Sequence, residues 1–182
     1  RRSLARIARP RPGVPLLPSE SLRVLVVDDD AVAAASLADF LAEEGFDPAI
    51  ASSGADALTI LRDAHAPFPL LVCDVAMPGM SGHELLRRVT KDHPTTAVLM
   101  LTGYGTIESA VEAVRMGAVD YLTKPVIDSE LRIALERAVR QHTLLSENST
   151  LRRQLDGKFG LDSIVGADHR MLRIYELIES VA

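Results

Sequence analysis

Leu22-Arg23-Val24-Leu25-Val26-Val27-Asp28-Asp29-Asp30 is the stretch on which the fold turns. A run of strand length, Leu22 to Val27, apolar but for Arg23, stops abruptly on three consecutive acids. Runs of this kind, in place of polar–apolar alternation, mark strands covered on both faces. Reading outward, Val32, Leu37, Phe40, Leu41 and Glu44 follow at helical spacing, and Gly45 closes that helix. Pro48–Ser52 reads as a second strand, its proline placing it at a sheet edge. Ser53 and Asp56 form a capping pair for a helix carrying Leu58 and Leu61.

The same alternation continues. Leu70–Cys73 is a buried strand ending at Asp74, and Ser81 with Glu84 is a second capping box, opening a helix with Leu85, Leu86 and Val89 that ends near Pro94. Ala97–Leu101 is a fourth strand ending at Thr102. Ile107, Ala110, Val111 and Val114 mark a fourth helix, with Gly117 just past its end. Asp120–Thr123 is a fifth strand followed by Lys124-Pro125, and Ser129 is expected to cap a long helical region.

Strands alternating with helices over about 110 residues imply a doubly wound α/β fold, a parallel sheet covered on both faces. Ligands of such sheets bind beyond the carboxyl ends of the strands, near the switch point. The polar residues stand at those ends: Asp28 and Asp29, Asp74, Thr102 and Lys124. Residues far apart in sequence are therefore expected on one edge. Clustered carboxylates repel unless a cation intervenes, and a hard divalent ion such as Mg²⁺ takes oxygen ligands of this kind. A lysine adds positive charge for a phosphoryl group, and a threonine hydroxyl can donate to one of its oxygens. A carboxylate is also a nucleophile able to form an acyl phosphate. The set suits phosphoryl transfer, where positioning and charge neutralisation dominate.

Composition narrows the alternatives. The chain has 182 residues, 47% hydrophobic and 25% charged, with a formal net charge of −5, which argues against a protein that coats nucleic acid as a whole. The one cysteine, Cys73, cannot form an intramolecular disulfide, fits a reducing cytosol, and reads as strand core. No apolar run approaches the roughly 18 residues of a membrane span, so no membrane association is expected. Residues 1–21 carry five arginines and four prolines against one acid and read as a disordered basic extension. His83, His93 and His142 have no partners at metal spacing and read as surface residues.

Four segments together resemble the receiver domains of two-component response regulators: Val26-Val27-Asp28-Asp29-Asp30, Cys73-Asp74-Val75-Ala76-Met77-Pro78-Gly79-Met80-Ser81-Gly82, Leu101-Thr102-Gly103 and Tyr121-Leu122-Thr123-Lys124-Pro125. Each is weak alone; their joint order and spacing across residues 22–139 is specific. The resemblance implies a flavodoxin-like five-stranded sheet of order 2-1-3-4-5, with Asp74 accepting a phosphoryl group from a sensor histidine kinase. It implies Mg²⁺ held by Asp28, Asp29, Asp74 and the backbone carbonyl of Ala76. Thr102 and Tyr121 are then switch residues, Lys124 the phosphate-binding lysine, and the Lys124-Pro125 bond is expected to be cis. Asp30 reads as a helix cap. Ala76 and Tyr104 occupy positions that tune aspartyl-phosphate hydrolysis in that family, and Ala76 offers no group to orient water, which implies a long-lived phosphoryl state.

The chain continues past the receiver. Leu144, Asn148, Leu151 and Leu155 follow the 4-3-4 spacing of a coiled-coil seam, and an asparagine in such a seam fixes register. Residues 140–160 are therefore expected to be a linker helix supporting a homodimer, made through linker and receiver. The Glu147-Asn148-Ser149-Thr150-Leu151-Arg152 segment resembles the dicarboxylate-transport-regulator branch of NtrC-type activators, which work with sigma-54 RNA polymerase. Residues 161–182, from Leu161-Asp162-Ser163-Ile164-Val165-Gly166, resemble the lead-in to the AAA+ ATPase of those proteins. That resemblance implies ATP, sigma-54 polymerase and DNA as partners of a full-length protein. It does not imply them for these residues: the sequence has no G-x-x-x-x-G-K-[ST] loop, Gly157-Lys158 being followed by Phe159. A cytoplasmic protein without an enzymatic activity of its own is expected. An aspartyl phosphatase is disfavoured because Ala76 stands where its second acid would be, and a phosphorylation-independent module because no acid or lysine of the set is lost. A receiver driving a winged-helix DNA reader is disfavoured by the long linker.

Overall fold

A computed structural model of the chain describes residues 21–103 and 105–159. The expectations for residues 1–20, Tyr104 and residues 160–182 lie outside them. The described elements alternate without exception: β1 (Arg23–Val27), α1 (Ala31–Glu43), β2 (Asp47–Ala51), α2 (Gly54–Asp63), β3 (Leu70–Asp74), α3 (Gly82–Asp92), β4 (Ala97–Thr102), α4 (Ile107–Arg115), β5 (Asp120–Thr123) and α5 (Asp128–Phe159). The strands form one parallel sheet of order β2-β1-β3-β4-β5, as expected, with Pro48 on an edge strand. The chain divides into two compact units between His142 and Thr143.

The apolar runs are continuous because each strand feeds two cores. Leu25, Val27, Leu71, Cys73, Val98 and Met100 face one cluster, completed by Ala57 and Leu61 of α2, Leu85, Leu86 and Val89 of α3, and Ala113 of α4. Their neighbours Val24, Val26, Leu70, Val72, Leu99 and Leu101 face the other, with Ala34 and Leu41 of α1 and Leu131, Leu135 and Ala138 of α5. Every residue of β3 and β4 is buried, which is why these strands show no polar alternation.

Local chemistry sets the helix starts. Asp30 is the N-cap of α1, its Oδ1 accepting from Val32 N at 2.9 Å and Ala33 N at 3.2 Å. Ser53 accepts from Asp56 N, and Asp56 accepts in return from Ser52 N. Ser81 accepts from Glu84 N, but Glu84 turns its carboxylate forward to Arg88 at 2.6 Å, so that box is half made. Gly45 and Gly117 stop α1 and α4 at φ +93° and +103°, a region that side chains disfavour. α5 begins one residue before the expected cap, so Ser129 lies inside its first turn.

The fourth helix lies where the periodicity marked it, but most of the residues that marked it are open to solvent: Ile107, Val111 and Val114 are 79%, 44% and 56% exposed, while Ala113 is fully buried. The periodicity located the helix; small alanine, which lets the helix approach the sheet closely, decides its inward face. One expectation is corrected: His83, His93 and His142 are half-buried and not fully exposed surface residues. His142 Nδ1 donates to the Thr95 carbonyl at 2.6 Å and ties α5 to the α3–β4 loop. Arg132 with Glu44 (2.8 Å) and Arg137 with Asp120 (2.7 Å) fasten the same helix along its length. Beyond Thr143, Leu144 and Leu151 are 61% and 59% exposed, and Asn148 is exposed with them.

Candidate functional site

Parallel register brings the strand ends level: Val27 pairs with Cys73, Asp74 with Leu101, and Thr102 with Thr123. Asp28 leaves β1 with its amide bonded to the Ala51 carbonyl at 3.2 Å. Its Oδ1 accepts from Asp30 N at 2.9 Å, which turns the chain into α1 and aims Oδ2 across the sheet end. Lys124 leaves β5 with its amide donating to the Thr102 carbonyl at 2.6 Å. Its Nζ then reaches Asp28 Oδ2 at 2.6 Å and Asp74 Oδ2 at 3.0 Å. The Lys124-Pro125 bond is cis.

Carboxylate oxygens of Asp28, Asp29 and Asp74 lie within 4.8 Å of one another. Asp28 and Asp74 are 3% and 8% exposed, and Asp29 is exposed. Two of the three acids, Asp28 and Asp74, share the Lys124 ammonium, so among these residues carboxylates outnumber the cation in a place where two of the acids are nearly buried. That donor set, oxygens only with one side open to solvent, fits a hard divalent cation. Burial acts on Lys124 to lower its pKa, but the hydrogen bonds and charges of Asp28 and Asp74 outweigh it and raise the pKa above the ordinary lysine value. The ammonium is therefore kept at neutral pH. Its stabilising contribution is complete below the lysine range and is lost only as pH rises through the raised value.

The loop after Asp74 is held from below. Val75 N donates to the Leu101 carbonyl at 2.8 Å, and Gly82 N to the Val75 carbonyl at 3.0 Å. Met77 is buried, and Met80 lies against Gly54 at the start of α2. Ala76 is exposed, its amide 3.5 Å from Asp74 Oδ1. Gly82 is buried against the backbone of Asp74 and Val75. Burial raises the pKa of the Cys73 thiol, with the negative charge of Asp74 adding to it, so it stays protonated.

The structure thus gathers Asp28, Asp29, Asp74 and Lys124, with Thr102, 2% exposed, at the end of the adjoining strand. Tyr121 is on β5 but engages α4: its hydroxyl donates to Ser109 Oγ at 3.0 Å. Leu144, Asn148, Leu151 and Leu155 belong to the other unit. Ser109 and Gly105, both close to Tyr121, were not picked out by sequence reasoning, and His83, linked to it through Ser109, was read only as a surface residue. They belong to no spacing rule and meet only through the fold.

A family model described as the response regulator receiver domain matches residues 24–136. The luminescence regulatory protein LuxO of Vibrio campbellii is 32% identical over 157 residues, which cover 86% of this chain and 33% of LuxO. The transcriptional regulatory protein ZraR of Klebsiella oxytoca is 38% identical over 129 residues, covering 71% of this chain and 28% of ZraR. The chain therefore spans no more than a third of these relatives. Among solved structures, a response regulator receiver domain protein from Clostridium thermocellum superposes with a TM-score of 0.64 at 33% identity, covering 68% of this chain and 98% of that one.

Proposed function

The chain belongs to the response regulator receiver family, and from that premise we propose that Asp74 is its phosphoacceptor, served by a sensor histidine kinase. The observation that carries the reading is the sharing of one ammonium, that of Lys124, by two nearly buried carboxylates at adjoining strand ends. An Asp74 carboxylate oxygen attacks the phosphorus of a phosphohistidine; the P–N bond breaks, its electrons return to the imidazole, and an acyl phosphate forms. Asp28, Asp29, Asp74 and the Ala76 carbonyl would hold magnesium, which when bound supplies positive charge against the phosphoryl oxygens. Lys124 supplies a second positive charge, and the Thr102 hydroxyl is the donor that follows the phosphoryl group. Tyr121 moves with it.

The output proposed is that of an NtrC-type activator. The linker Glu147–Arg152 and residues 161–182 support it, together with a relative whose name is that of a transcriptional regulator. In a longer protein of that type ATP, sigma-54 polymerase and DNA are partners of the segments beyond, and the setting is cytoplasmic. Among the described residues no helix is long and apolar enough to cross a membrane.

Acetyl phosphate with magnesium is expected to add one phosphoryl group by intact mass. Borohydride, which reduces an aspartyl phosphate to homoserine, is expected to mark position 74. A mark elsewhere, or no adduct, overturns the reading. The exposed Leu144 and Leu151 are proposed to form a dimer seam. Sedimentation equilibrium is expected to show a dimer, and Leu144→Glu with Leu151→Glu a monomer.

A further inference from the structure

The hydrogen bond at Tyr121 continues beyond Ser109. Ser109 Oγ, half-buried on α4, lies 3.4 Å from Nε2 of His83, half-buried on α3. With Nε2 unprotonated, the serine donates to the ring, which leaves its lone pairs for the tyrosine hydroxyl. A two-bond chain thus joins β5, α4 and α3. Gly105 lies beside the same ring: a Cβ there would meet Thr123 Cγ2 at 2.9 Å, Thr102 Cγ2 at 3.2 Å and Tyr121 Cε1 at 3.4 Å, so the ring and both threonines crowd round this glycine. A phenol has one proton to donate, and in this arrangement Ser109 accepts it.

We infer that Ser109 and His83 are positioning residues, a latch that holds Tyr121 on α4 and sets how readily the receiver switches. The inference rests on the receiver reading, since it concerns the residue proposed to move on phosphorylation. The latch belongs to the resting arrangement alone. Its loss raises the competent population, and with it the apparent affinity for a phosphoryl mimic.

The test uses the full 182-residue chain, with tyrosines replaced by 3-fluorotyrosine and the Tyr121 ¹⁹F signal identified by Tyr121→Phe. Beryllofluoride with magnesium is the probe. Ser109→Ala keeps a good helix former on α4, so the fold is expected to persist. Its affinity for beryllofluoride is expected to rise about three- to tenfold, the population change one neutral hydrogen bond carries. The fluorine signal of the free protein is expected to move toward its beryllofluoride-bound position. His83→Ala is expected to act in the same direction but less, and to add nothing to Ser109→Ala, because the two act through one bond. Unchanged affinity and signal in Ser109→Ala overturn the latch, and independent addition of the two effects overturns the part given to His83. Failure of the unsubstituted chain to bind beryllofluoride would instead overturn the receiver reading itself.

Discussion

Lys124→Met is expected to cost the protein both stability and phosphoryl chemistry, and added magnesium is expected to return only the first. Nζ lies 2.6 Å from Asp28 and 3.0 Å from Asp74, whose residues are 3% and 8% exposed. Removing one partner of a buried pair leaves uncompensated charge, at a cost of about 3–5 kcal/mol when both groups are fully buried. The lysine side chain is 26% exposed, so solvent screens part of this, and a loss of ~2–4 kcal/mol is expected in urea denaturation at neutral pH. A divalent ion that binds the folded acids and not the unfolded chain restores stability by mass action. It does not restore the donor that Lys124 is proposed to offer the phosphoryl oxygens, and removal of such a donor from a preorganised site costs ~10²–10³ in rate. Urea titrations with and without magnesium, beside acetyl phosphate time courses by intact mass, separate the two. A variant as stable and as reactive as the parent would contradict the site.

Gly82→Ala carries the second large effect, through sterics alone. A Cβ at Gly82 would strike the Asp74 carbonyl oxygen first, with Val75 Cα at 2.9 Å and the Asp74 carbonyl carbon at 3.0 Å. All three are backbone atoms, so no side chain can swing aside. The amide of Gly82 is also bonded to the Val75 carbonyl, so α3 cannot back away without losing that bond. Overpacking of this kind costs ~1–3 kcal/mol. The relief it forces is a shift of the backbone of Asp74, the proposed acceptor, and misplacement by ~1 Å can cost about 10² in rate. Gly103 is the control: its Cβ would meet nothing within 4 Å. Gly103→Ala is expected to stay within ~0.5 kcal/mol of the parent. Equal stabilities and phosphorylation rates for the two variants would remove Gly82 from the account.

Much of this was legible in the sequence, for a definite reason. Strands buried on both faces must be apolar runs, so Leu70–Cys73 and Ala97–Leu101 announced themselves, and the parallel rule placed Asp28, Asp74, Thr102 and Lys124 on one edge. Asp30 was separable from Asp28 and Asp29 because a cap has its own position before a helix, and its bonds to Val32 and Ala33 are those of a cap. What was hidden depended on the third dimension. Periodicity on α4 located the helix, yet Ile107, Val111 and Val114 point away from the sheet that Ala113 meets. Ser109 and His83 are 26 residues apart, and His142 and Thr95 are 47 apart. No local pattern connects them. The forward turn of Glu84 to Arg88 shows the same limit at short range: the capping-box spacing allowed two partners, and the charged one won.

The burial of the strands has a mechanical consequence. Asp74 closes a strand with a paired neighbour on each side and every residue covered, whereas β5 is a rim strand whose residues are half-buried or exposed. A push at the end of β3 meets no give in the middle of the sheet, because displacing β1, β3 or β4 disturbs both cores at once. Compliance lies toward the free edge, where one side of the ladder is open and little packing must be undone. The sheet therefore acts as a fixed frame with one yielding margin, and a bond made at its stiffest point is felt at its softest.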